Sequence, residues 1–164
     1  QLALLMAAYE MNTFKDEYQK NVISNARSFA VSLKNAGFDV EGDPALGYTQ
    51  THQVIVNVGY GSGAEIAQRL EDNDIICNQA TPYEEGFTAS GALRLGVSEM
   101  TRFGFGQKEF ETLAELMAEC VFRKRDVKEE VNDLRKGFTK MLYCFDDDDM
   151  RDILQQLAER TGVC

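Results

Sequence analysis

A chain of 164 residues, 44% hydrophobic and 27% charged, is long enough to bury one core and reads as a globular domain. Its formal net charge of −10 sets nucleic acid and anionic membrane surfaces aside as partners, because the densest basic run, Arg123-Lys124-Arg125, is followed at once by Asp126. No apolar run approaches the roughly 20 residues that span a bilayer. Cys77, Cys120, Cys144 and Cys164 form no CxxC pair, which points away from metal ligation and disulfides and toward reduced thiols in a cytoplasm.

The apolar opening lacks the basic flank of a signal peptide and does not begin with Met, as though a helix had been entered partway along. A piece of a longer protein is therefore expected. Residues 1–12 are read as the end of a large-domain helix or an interface segment, and residues 13–164 as one small domain with a long lead-in helix. Thr13, with Asp16 three residues on, predicts a weak capping box. Tyr18, Val22, Ala26, Phe29 and Leu33 then recur at helical spacing, and Gly37 predicts the stop. Phe38-Asp39-Val40 reads as a short strand before a turn at Gly42-Asp43-Pro44.

The β-branched run from His52 to Val58 predicts a strand, broken by Gly59-Tyr60-Gly61. Ser62 with Glu65 has the form of a capping box, opening a short helix to about Leu70. The glycines here invite a phosphate-cradle reading, but a Walker lysine and a dinucleotide spacing are both missing, so a flexible turn is expected. Ile75-Ile76-Cys77-Asn78 reads as a second strand. A loop holding Pro82, Glu84, Glu85 and Gly86 follows, and Ala92 to Val97 reads as a third strand.

Beyond Gly104 the pattern is helical, with Phe110, Leu113, Leu116, Met117, Cys120 and Val121 on one face. Asp126 and Glu129 predict the cap of a further helix with the stripe Val127, Val131, Leu134 and Phe138. The acidic run Asp146 to Asp149 suits the N-terminus of a last helix bearing Ile153, Leu154 and Leu157. It lacks the spacing and glycine of a calcium loop, so no metal is expected. The layout is α/β, a small mixed sheet covered by helices.

Several stretches, in one order, are similar to serine hydroxymethyltransferases. Phe14-Lys15-Asp16-Glu17-Tyr18-Gln19-Lys20-Asn21-Val22 resembles the long helix of that family, and Thr49-Gln50-Thr51-His52 its Thr-Asp-Asn-His element. Ser90-Gly91-Ala92-Leu93-Arg94-Leu95-Gly96, continued by Met100-Thr101-Arg102-Phe103-Gly104, resembles its Ser-Gly-Ile/Leu-Arg-Leu-Gly-Thr-Pro…Thr-Arg-Arg-Gly signature. Val131-Asn132-Asp133-Leu134-Arg135-Lys136 and Tyr143-Cys144-Phe145 look like the tail of the archaeal-type branch.

The resemblance implies the C-terminal domain of a fold-type-I enzyme dependent on pyridoxal 5'-phosphate. Such an enzyme cleaves serine to glycine and passes the one-carbon unit to a reduced pterin, tetrahydrofolate or a methanopterin type, as a homodimer. It implies that Arg94 clamps the carboxylate of the amino-acid substrate, work suited to a planar guanidinium that donates two parallel hydrogen bonds. It places His52 near the site in a structural role, and Tyr83 and Ser90 at the pterin loop. No catalytic residue is expected in this piece, because the family's Schiff-base lysine follows a histidine and His52 is followed by Gln53.

The sequence departs from the pattern in three places. Val97-Ser98-Glu99 replaces Thr-Pro-Ala, one extra residue stands between Ser90 and Arg94, and Pro82-Tyr83-Glu84 stands for Pro-Asn-Asp. A related aldolase or transaldolase, and a stand-alone binding domain whose sticky first segment meets a partner, are the alternative readings.

Overall fold

The computed structural model describes residues 2–80 and 90–162. Its first element, α1 (Leu2–Asn35), is continuous through the expected start at Thr13. The hydroxyl of Thr13 donates to the Tyr9 carbonyl one turn back at 3.1 Å, so it serves a mid-helix bond and not a cap. The helix ends as the glycine foretells. Gly37 takes φ +102°, its N–H donates to Lys34 O, and the Phe38 N–H donates to Leu33 O, the paired bonds of a Schellman motif.

Four strands follow: β1 (Asp39–Val40), β2 (Gln53–Asn57), β3 (Asn78–Ala80) and β4 (Ala92–Gly96). They form one sheet in the order β1-β2-β4-β3, and each pairing is antiparallel. The expected mixed sheet is thus antiparallel throughout. Strands β2 and β3, joined by α2 (Gly63–Asp72), run the same way but are held apart by β4, so the crossover leaves no parallel pair.

Strand β3 begins at Asn78, later than the expected Ile75. Ile75 is buried in the core while Ile76 is 87% exposed, so the β-branched pair forms the approach to the strand and not the strand itself. Ser62 makes no side-chain capping bond. The Gly63 N–H of that first turn donates instead to the Ser90 carbonyl at 2.6 Å. A Cβ at Gly63 would lie 2.3 Å from that oxygen, which explains the glycine.

Beyond the sheet come α3 (Ser98–Arg102), too short for a periodic signal, and α4 (Gln107–Phe122). The chain closes with α5 (Lys128–Lys136) and α6 (Asp147–Thr161). Asp126 accepts from the Lys128 N–H, but the cap position itself falls one residue later, at Val127, whose N–H is bonded by Asn73. Asp146 caps α6 through bonds from Asp148 N and Asp149 N, the use expected of the acidic run.

The core lies on one face of the sheet. Val54, Val56, Leu93 and Leu95 meet Phe29, Ala30 and Leu33 of α1 and Phe110, Met117 and Cys120 of α4. The rings of Phe29 and Phe110 stand 5.1 Å apart, and Phe105 meets Phe110 edge-on at 5.6 Å. Residues 141–145 cross the seam between α1 and α3: Leu142 N donates to Arg102 O, and the rings of Tyr143 and Phe145 lie tilted against Tyr18 and Phe14.

Candidate functional site

Alternation along β4 decides what faces away from the core. Leu93 and Leu95 are buried, so Arg94 between them must point to the opposite face, where it is exposed. Directly across the sheet stand Ile55 of β2 and Asn78 of β3, its register partners. The extra residue between Ser90 and Arg94 leaves the arginine in the middle of the strand, facing outward.

Arg94 lines an open concavity of about 350 Å³ whose other walls include His52, Gln53, Cys77, Asn78 and Glu99. Gly96 supplies its floor, with open space where a Cβ would stand. Among the described residues Arg94 is the only lysine or arginine of this lining, and it has no salt-bridge partner there. A guanidinium mid-strand facing an open hollow, with no salt-bridge partner among the described residues, has the chemistry to receive a small carboxylate through two parallel bonds.

The other sequence candidates fall as follows. His52 is exposed at the mouth of β2; its Nε2 lies 3.2 Å from Gln53 Nε2, and its carbonyl accepts the Val97 N–H at 3.1 Å. Ser90 stands at the entry to β4, its carbonyl taken by Gly63. Tyr83 lies outside the described residues. The concavity therefore brings Arg94 and His52 together, while Ser90 is not part of its lining.

Sequence reasoning missed Gln53, Cys77, Asn78 and Glu99 as companions of Arg94. Strand register brings Asn78 there, and register is not legible one strand at a time. Glu99 carried a signal, since it replaces an alanine in the signature. Cys77 is not a poised nucleophile: burial, helped by the nearby charge of Glu71, lifts its thiol to about 11.

Known proteins resemble this chain in sequence and in fold. A family model described as serine hydroxymethyltransferase matches residues 2–117. Serine hydroxymethyltransferase from Saccharolobus islandicus is 41% identical over 158 residues, covering 92% of this chain and 36% of that protein. The enzyme of the same name from Cenarchaeum symbiosum is 41% identical over 153 residues, covering 88% of this chain and 34% of its own length. The chain thus spans about a third of the curated relatives it matches.

Among solved structures, L-threonine transaldolase from Pseudomonas fluorescens, in its internal aldimine state, superimposes with a TM-score of 0.77 at 28% identity. The match covers 92% of this chain and 36% of that one. The α/β layout expected from the residues is observed, with its sheet antiparallel and not mixed, and the fold-type-I fold that the resemblance implied is the one this neighbour shares. By the family match across most of its length, the chain belongs to the serine hydroxymethyltransferase family.

Proposed function

We propose that this chain is the C-terminal domain of a pyridoxal-phosphate-dependent serine hydroxymethyltransferase-like enzyme, and that Arg94 is its clamp for the substrate carboxylate. The observation that carries the reading is Arg94 itself, mid-strand and facing an open concavity without an ion-pair partner among the described residues. Held there, the guanidinium fixes one end of serine or glycine, and orientation of the remaining bonds follows from that fixed end. The position of Arg94 within the residues that the family model matches supports it.

In the complete enzyme the cofactor supplies the electron sink for cleavage of the Cα–Cβ bond. The residues of this chain do not fit its covalent attachment. No lysine lines the concavity among the described residues, and the one histidine is followed by Gln53. We therefore assign no chemical step to this domain beyond binding and orienting the amino acid. The purified 164 residues are expected to turn over no serine; cleavage at a rate near that of complete relatives would refute the assignment.

The first turns of α1 leave Leu4, Leu5, Tyr9 and Met11 exposed, and we read residues 1–12 as contacting the remainder of the enzyme, with residues 13–164 as the small domain. The complete protein is read as a cytoplasmic homodimer whose one-carbon acceptor is a reduced pterin, tetrahydrofolate or a methanopterin type. A transaldolase activity is the second reading, favoured by the likeness to L-threonine transaldolase and by Pro82-Tyr83-Glu84 where the family's pterin contact stands.

The test of the clamp is Arg94→Ala in the complete enzyme. Loss of a charge-assisted, bidentate bond is expected to weaken glycine binding about a hundredfold. Calorimetric titration showing unchanged glycine affinity would overturn the role.

A further inference from the structure

We infer that Asn25 and Thr101 are positioning residues for Arg94, fixing the end of β4 against the long helix; the inference rests on the clamp reading above. Strand β4 passes into α3 through a single residue, Val97. Both sides of Val97 are pinned. Its N–H donates to His52 O at 3.1 Å, and its carbonyl accepts the Thr101 hydroxyl at 2.8 Å.

That hydroxyl is itself oriented from α1. Asn25 Nδ2 donates to Thr101 Oγ1 at 3.0 Å and to Phe105 O at 2.8 Å. With its proton committed to Val97 O, the hydroxyl presents a lone pair to the amide, so the chain of bonds runs in one direction from α1 to the strand end. Asn25 is 7% exposed and Thr101 2%. A buried amide and hydroxyl cost free energy unless bonded, and leucine and valine would fill comparable space more cheaply. What the polar pair adds is a fixed geometry, because hydrogen bonds are directional and apolar packing is not.

The same helix grips α3 at two further points. Tyr18 OH donates to Ser98 O at 3.1 Å, and Glu10 pairs with Arg102 at 2.5 Å. Residues 10, 18 and 25 thus share one side of α1 toward α3. With only Val97 between the gripped helix and the strand, a displacement of α1 is carried to Arg94 and not absorbed by a loop. A two-pronged bond to a carboxylate is sensitive to such displacement, since misplacement by about 1 Å can cost up to a hundredfold.

The test is a double-mutant cycle on glycine affinity in the complete enzyme, read by calorimetry. Thr101→Val is expected to weaken glycine binding about fivefold, with Thr101→Ser restoring it to within about twofold. In the Arg94→Ala background Thr101→Val is expected to make no further difference. Tyr18→Phe, which removes one hydroxyl at the half-buried rim, serves where Thr101→Val does not fold; a loss of about twofold that vanishes without Arg94 is expected. Unchanged glycine affinity in Thr101→Val, or in Tyr18→Phe where that variant stands in, would overturn the inference. So would an equal loss with and without Arg94, either result leaving the clamp intact. Unchanged affinity in Arg94→Ala alone would overturn the clamp and this inference together.

Discussion

The two faces of the sheet are built from the same strands and have opposite characters. On one, Val54, Val56, Leu93 and Leu95 are buried beneath α1 and α4. On the other, Ile55 is half-buried, and Gln53, Asn78, Arg94 and Gly96 are half-buried or exposed around the concavity. The covered face is specified by volume and apolarity, and it answers for stability. The open face tolerates a charge because water or a ligand can solvate it, and the proposed clamp stands there. A single strand serves both because side chains alternate along it.

Three experiments press on that division. Phe110→Ala, at a position 1% exposed and in contact with Phe29 and Phe105, is expected to cost about 3–5 kcal/mol of unfolding free energy. Urea unfolding of the complete enzyme reads that loss, and glycine affinity of the folded protein should stay within about twofold. Arg94→Ala is the converse: glycine binding falls about a hundredfold while unfolding free energy changes by less than about 0.5 kcal/mol. A large destabilisation from Arg94→Ala would mean that the arginine helps to build the sheet, and the division would fail.

Cys77 sharpens the boundary. It lines the open concavity, yet burial lifts its thiol to about 11 from an ordinary 9.0. A raised thiol stays protonated through neutral pH, so at pH 8 its thiolate fraction, and with it alkylation by iodoacetamide, is expected to be about a hundredfold below that of an ordinary thiol. Reaction at the speed of a free cysteine would place Cys77 fully on the wet side.

Much of this was legible in the residues. The α1 stripe, the stop at Gly37, the strand around Val54 and Val56, the α4 face and the acidic cap of α6 all rest on local rules that the fold obeys. The failures share a cause. Thr13, Ser62 and Ile76 carry local signals that other contacts override. The hydroxyl of Thr13 is taken by Tyr9 O, a first-turn N–H beside Ser62 is spent on Ser90, and pairing with β4 begins β3 only at Asn78. The outward placing of Arg94 was legible because alternation along its strand sets it between the buried Leu93 and Leu95. The bond from Asn25 to Thr101 joins positions 76 residues apart, and no local pattern announces it.

The grip of Gly63 on Ser90 has a use in redesign. Ala80 is paired with Ala92 in the sheet, and the Ser90 carbonyl is held by the Gly63 N–H, so both junctions of the intervening segment are tied down by main-chain bonds. Main-chain bonds are indifferent to side-chain identity at the junctions. Exchange of residues 81–89 for other sequences is therefore expected to leave the pairing of Ala80 with Ala92 and the bond from Gly63 to Ser90 in place.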